Sequence, residues 1–296
     1  MSDNFPPLAD ELLVDASRVA LSWSRAHCRH LTPSGENCFG YHALRQYLSL
    51  FGISRPMVND APFFRDVLGA AIRRGARRVL ISGCVDFGVA ALLQWIFAAE
   101  GVAPEITALD VCETPVLLNR WYADRTGMRL HAVTSDILDF HDTRSYDIVV
   151  THSIFGLFAP EKRPALVAKW RDLLAPGGLF ATVHRIAVPD APDIERFDAA
   201  QEAAFRASVL AKAEERRRGP GLDVPPEEFA ALVDAYVAQN AVYAMRSDAD
   251  MVALFENAGF RIERFVTRGR VGPTQLTGPA MASGAGHVVQ IAAVRR

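Results

Sequence analysis

The stretch that most constrains this chain is residues 78–88, Arg-Val-Leu-Ile-Ser-Gly-Cys-Val-Asp-Phe-Gly. It opens with the apolar run Val79-Leu80-Ile81, the composition of a strand buried on both faces. Gly83 follows where the chain must bend, and residues 89–100 read as a helix that is apolar on most faces. Strand, glycine turn and helix form the first half of a βαβ unit. In such a unit a nucleotide-like ligand is held at the turn beyond the strand's carboxyl end.

From residue 76 the alternation continues. The pattern predicts strands at 79–82, 106–110, 129–134, 147–151 and 179–184. Thr114-Pro115 reads as an N-cap followed by proline at the first helical position, with Gly127 closing that helix. Residues 161–174 read as an amphipathic helix with Leu166, Trp170 and Leu173 on one face. A long charged helix starting at 190 and ending at Arg216-Arg217-Arg218, and another over 226–245, interrupt the pattern. It resumes with a helix at 248–257 and strands at 260–267 and 287–294. The Gly/Pro-rich stretch 269–286 is longer than a hairpin needs. Residues 1–75 contain no βαβ unit; 8–30, 41–51 and 61–74 read as helices.

Acidic residues recur at the predicted strand ends. Asp110 closes the second strand, 27 residues after Gly83, near the offset of the ribose-binding acid in βαβ nucleotide sites. Ser135-Asp136-Ile137 follows the third strand, and Tyr146-Asp147-Ile148-Val149-Val150-Thr151 covers the fourth. Leu173-Leu174-Ala175-Pro176-Gly177-Gly178-Leu179-Phe180 turns into the fifth, and Asn257-Ala258-Gly259-Phe260 enters the sixth. In this order the segments resemble the motifs of the class I S-adenosylmethionine-dependent methyltransferases, over about 76–185 with a tail at 248–296. The Leu-x-Pro-Gly-Gly turn is the most specific match. In the family's Gly-x-Gly-x-Gly loop only the first glycine is kept, as Gly83; Val85 and Phe87 replace the later two, and Gly88 comes one residue late. Glycine lets a backbone approach a ligand at positive φ, which valine does poorly.

The resemblance implies an α/β fold: a Rossmann-like, seven-stranded, mostly parallel sheet of order 3-2-1-4-5-7-6 with helices on both faces. It would carry a helical N-terminal cap (1–75) and a helical insertion, or lid (190–245), on a core formed by 76–189 and 246–296. S-adenosylmethionine is the implied cofactor. Its implied neighbours are Gly83, Cys84 and Asp86 at the methionine end, Asp110 and Val111 at the ribose, Asp136 and Ile137 at the adenine, and Thr151. Asp86 serves equally well as a cap of the first helix. His152 and His184, at adjacent strand ends, are the candidate bases, since imidazole takes a proton near neutrality. Ser153, Phe155, Trp23, Tyr41, His42 and Tyr47 are the candidate substrate contacts. The expected activity is methyl transfer to a small molecule by direct displacement. One rival is chemistry that releases methylthioadenosine, by aminocarboxypropyl transfer or cyclisation. The other is a non-catalytic protein in which Val85 and Phe87 close the site.

Composition narrows the partners. With 34 acidic and 32 basic residues the net charge is −2, against a dedicated nucleic-acid binder. No run of 18 apolar residues suits a membrane span, and the first ten residues lack a signal-peptide pattern, so the expectation is a cytoplasmic protein with no membrane partner. A homodimer is allowed for. The four cysteines are too few for a disulfide scaffold. Cys28, His30, Cys38 and His42 lie close in sequence, but their spacing matches none of the usual zinc-finger patterns; they read as core or pocket residues, with no metal expected.

Overall fold

The computed structural model describes residues 5–6, 8–54, 56–219, 222–269 and 286–296. Most of the stretch 269–286, and Pro220-Gly221 of the expected helix break, lie outside them.

Three helices come first: α1 (Asp10–His27), α2 (Phe39–Leu50) and α3 (Pro56–Arg73). The α/β alternation follows as β1 (Arg78–Ser82), α4 (Gly88–Ala99), β2 (Glu105–Asp110), α5 (Glu113–Thr126), β3 (Leu130–Thr134), β4 (Tyr146–His152), α6 (Arg163–Leu173) and β5 (Leu174–Ile186). An insertion holds β6 (Ile194–Arg196), α7 (Ala199–Arg217), α8 (Pro226–Gln239) and β7 (Ala241–Tyr243), and α9 (Asp248–Asn257), β8 (Phe260–Arg268) and β9 (His287–Arg295) complete the fold.

The main sheet runs β3-β2-β1-β4-β5-β9-β8. Counting only its own strands, this is the expected 3-2-1-4-5-7-6. The first five are parallel, and β9 inserts antiparallel between β5 and β8. Alternate residues feed two cores. Val79, Ile81, Ile148 and Val150 face one side with Phe64, Leu93 and Phe97; Leu80, Val149 and Phe180 face the other with Trp170, Met251 and Phe255.

Three expectations on elements are corrected. The helix expected over 226–245 ends at Gln239, because residues 241–243 pair as β7 with β6. Residues 190–198 are not the start of a helix: 194–196 form β6, paired with β7, and α7 begins at 199. Asp198 and Gln201 form a reciprocal capping box that fixes the true start. The fifth strand is also longer than its apolar run, because Leu174 already pairs with Tyr146 before the Gly-Gly turn.

The helices outside the alternation pack together. α1 lies against α2 and α5, and α2 against α8. Gly40 permits the last contact: a Cβ there would stand 2.3 Å from the backbone of Ala235. Tyr41 stacks on Tyr236, which stacks in turn on Phe205.

Candidate active site

The loop after β1 is shaped by its one retained glycine. Gly83 has φ +76°, and a Cβ there would come within 2.6 Å of Ile154 Cδ1, so both conformation and space demand glycine. The residues replacing the family's other glycines do not crowd the loop equally. Phe87 is buried, stacked on Tyr122 of α5 at 4.8 Å, and lines the small cavity beside Asp86 and Gly88, while Val85 is partly exposed.

Asp110 ends β2 with both carboxylate oxygens engaged by backbone: Cys84 N donates to Oδ2 at 3.1 Å and Cys112 N to Oδ1 at 2.9 Å. This ties the β1 and β2 turns together. A carboxylate has about four acceptor positions, so two remain for a ligand. Burial pushes its pKa up, with the His42 charge acting the other way. Beside it Val111 is 41% exposed, an unusual position for valine and a surface suited to an apolar ring.

Asp86 caps the first helix of the alternation, and its other oxygen pairs with a cation of the chain itself. Oδ1 accepts from Gly88 N at 2.7 Å, capping α4. Oδ2 lies 3.2 Å from Nε of Arg45, on α2. Both side chains are nearly buried, and the Arg45 guanidinium also donates to Ser54 Oγ. Asn119 Nδ2 donates to the Asp86 carbonyl at 3.1 Å and holds the turn. Arg45 is the residue that sequence reading missed; its only signal is a position one helical turn after Tyr41. Burial pushes the Tyr41 pKa up, and the charges of Arg45, Asp86 and Asp110 all act on it. Tyr41, His42 and Arg45 therefore lie with α2 against the carboxyl ends of β1 and β2. A cavity of about 50 Å³ opens there, between Arg45, Asp86, Gly88 and Met57. A larger cavity, about 600 Å³, lies elsewhere, among charged residues of α1 and α7 such as Asp15, Arg18 and Lys212; no strand-end residue lines it.

The other predicted residues divide. Asp136 Oδ1 accepts from Leu138 N at 2.9 Å as a turn cap, and Ile137 is buried beneath it. Thr151 is fully buried, its hydroxyl without a partner among the described residues. Ser153 has φ 55°, rare outside glycine and typical of functional loops, and its N–H donates to the Val183 carbonyl. Trp23 is half-buried against the helical core.

The two histidines do not share a pocket. His152 pairs in register with Val183, so His184, one residue on, faces the opposite side of the sheet. His152 Nε2 lies 3.0 Å from Asp60 Oδ2 of α3, and Asp60 Oδ1 accepts from Arg268 Nη1 at 2.8 Å. His184 is sealed under Phe155, ring centroids 5.3 Å apart, and desolvation lowers its pKa to about 3. His184 and Phe155 are core residues rather than a base and a pocket wall. Tyr47 is likewise core, edge-on to Phe229, with burial raising its pKa to about 12.

One grouping cuts across the sequence. Cys28, Cys38, His42 and Cys112 are all buried, with their potential ligand atoms within 4.8 Å of one another; His30 is not among them. Neighbouring thiols lower the pKa of Cys28, and the same contacts with burial raise that of Cys38.

Comparisons with known proteins accord with this geometry. Residues 84–178 match a family model described as a methyltransferase domain. No curated protein matches the sequence. Among solved structures, a sarcosine dimethylglycine methyltransferase candidate from Galdieria sulphuraria shares 11% identity, with 95% of this chain and 98% of that one covered at a TM-score of 0.52. The 1,6-didemethyltoxoflavin-N1-methyltransferase of Burkholderia thailandensis, solved with its substrate and S-adenosylhomocysteine, shares 16% over 98% of this chain and 92% of that one, at a TM-score of 0.50. TehB from Haemophilus influenzae is 13% identical; the match covers 78% of this chain but only 62% of that one, at a TM-score of 0.48. At these identities the structural matches speak for the fold, and the domain match speaks for the chemistry. Sheet order, strand-end acid and domain match agree: residues 84–178 are similar to a methyltransferase domain, set in a fold shared with S-adenosylmethionine-dependent methyltransferases.

Proposed function

We propose that the protein methylates a small molecule, bound between the carboxyl edge of the sheet and the helical layer of α1–α3 and α7–α8. The observation that carries this reading is α2 itself. Its Tyr41 and Arg45 lie against the loop acids Asp86 and Asp110, covering the edge where a polymer would need open access. On this reading residues 1–75 act as a cap and 190–245 as a lid. The likeness to a toxoflavin-precursor methyltransferase over nearly the whole chain, additions included, points to the same substrate class.

The residues fit S-adenosylmethionine. Gly83 permits close approach of the backbone, and Asp110 has acceptor positions for two ribose hydroxyls. Val111 offers an apolar surface for the adenine. Asp86 and Arg45 together present an anion and a cation, a match for an α-amino carboxylate. The donor supplies an already activated methyl group on a sulfonium. What remains for the chain is alignment and exclusion of water. Tyr41 brings an aromatic ring close to where a sulfonium would be held. His152, oriented by Asp60, takes a proton from an acceptor whose nucleophile carries one.

The test is a calorimetric titration with S-adenosylmethionine and S-adenosylhomocysteine, followed by a small-molecule screen read by nucleoside product. Micromolar binding and S-adenosylhomocysteine as product are expected. Methylthioadenosine would assign other chemistry. The absence of binding to folded, ligand-free protein would overturn the site.

A further inference from the structure

We propose that Cys28, Cys38, His42 and Cys112 form a structural zinc site that pins the N-terminal helices to the methyltransferase core. The four residues come from separate places. Cys28 follows the last residue of α1, Cys38 precedes α2, His42 lies in the first turn of α2, and Cys112 precedes α5. Cys112 stands 70 or more residues from the others, yet Cys28 Sγ and Cys38 Sγ lie 3.7 and 3.6 Å from its sulfur. His42 Nδ1 is 3.4 Å from Cys28 Sγ.

These separations are those of a coordination tetrahedron. With Zn–S bonds of about 2.3 Å and Zn–N bonds of about 2.05 Å, adjacent sulfurs fall about 3.8 Å apart and sulfur and nitrogen about 3.5 Å apart. The remaining pairs lie within 4.8 Å, which small side-chain rotations close. A disulfide requires sulfurs about 2.05 Å apart. It would also use two of three mutually close thiols and strand the third. Thiol-thiol hydrogen bonds are weak and would not by themselves draw three cysteines and a histidine from four places into one buried cluster.

The surroundings suit a metal thiolate. Three thiolates and a histidine around Zn²⁺ leave one net negative charge, which burial disfavours unless it is compensated. Cys38 and Cys112 occupy the N-cap positions of α2 and α5, and neither helix has a side-chain cap. Two helix N-termini, with orphan N–H groups and positive dipole ends, therefore face the cluster. Thr114 Oγ1 lies 3.5 Å from Cys28 Sγ, where it can donate to a thiolate. Four protein ligands leave no open position, so the role is structural rather than catalytic. Because Cys112 lies two residues after Asp110, and His42 beside Tyr41, the metal would set both the strand-end acid and the covering helix.

The test uses the full-length protein purified without chelator. Elemental analysis should give one zinc per chain, and Cys38→Ser and Cys112→Ser should each lower this at least tenfold. Exchange of the wild type with Co²⁺ should produce sulfur-to-cobalt charge-transfer absorption and the intense visible bands of tetrahedral cobalt. Chelation should lower the thermal midpoint by about 5 °C or more. Folded wild-type protein that holds no metal and acquires neither Zn²⁺ nor Co²⁺ when offered overturns the proposal. So does a disulfide between any two of the three cysteines in the native protein. Both readouts on the wild type stand even if a cysteine variant fails to fold, and neither depends on methyl transfer.

Discussion

Arg45 Nε lies 3.2 Å from Asp86 Oδ2, so a helix from the N-terminal layer is ion-paired, almost out of solvent, to the loop after the first strand. Removing one partner of such a pair leaves a buried charge uncompensated and typically costs about 3–5 kcal/mol. Arg45→Ala should therefore destabilise by about 3 kcal/mol in chemical denaturation. The double variant Arg45→Ala/Asp86→Ala should recover part of that loss. Strictly additive effects would mean that the pair is not coupled.

Asp110 is the residue through which the loops after β1 and β2 meet, and it keeps acceptor capacity for a ligand. Asp110→Ala should weaken S-adenosylmethionine binding about tenfold or more, the worth of a charged hydrogen bond. Calorimetry on a variant with native circular dichroism decides it; unchanged affinity removes Asp110 from the site.

His152 and Asp60 form the dyad that the proposed mechanism uses. His152→Gln should reduce kcat by about 10²-fold or more with any acceptor whose nucleophile carries a proton, while the S-adenosylmethionine Kd stays unchanged. A fall in cofactor affinity without a fall in kcat would make His152 a binding residue instead.

His184 predicts a pH dependence of stability. Its folded pKa of about 3 lies below the ordinary 6.5, because burial disfavours the imidazolium. Between those values the unfolded chain binds the extra proton. The stability contribution is thus complete above pH 6.5 and is lost as pH falls toward 3. His184→Leu should narrow the stability difference between pH 7.5 and pH 5 by about 2 kcal/mol. An identical pH profile in the variant would show that His184 is not buried in its neutral form.

Gly40 tests the α2–α8 contact. A methyl group there meets the Ala235 backbone at 2.3 Å, so the helices must separate. Gly40→Ala should cost about 1–3 kcal/mol despite alanine's better helix propensity. A stabilised variant would mean that the two helices are not in contact.

The βαβ pattern was legible because its signals are local. The apolar runs, Thr114-Pro115, Gly127 and the Pro-Gly-Gly turn each act within a few residues, and every strand of the main sheet lies where the pattern predicts it. The candidate site was legible in part. Gly83, Asp86 and Asp110 converge as expected, since strand ends in a parallel sheet meet at one edge. Tyr41 and His42 reach that edge, whereas Tyr47, one and a half turns further along the same helix, faces the core with Phe229. His152 and His184 were separated by one unit of register, which no spacing in the chain reveals.

The sequence alone determined the α/β class and the acid at the end of β2, because strand periodicity, caps and turn glycines are short-range properties of the backbone; the strand order followed from the resemblance of its motifs to a known family. Tertiary structure alone decided that Arg45 meets Asp86 and that Phe87 stacks on Tyr122. It alone brought Cys112 beside Cys28 and Cys38. Those pairings depend on how helices pack over the sheet edge, and packing is set by the summed burial of many distant side chains rather than by the residues that meet.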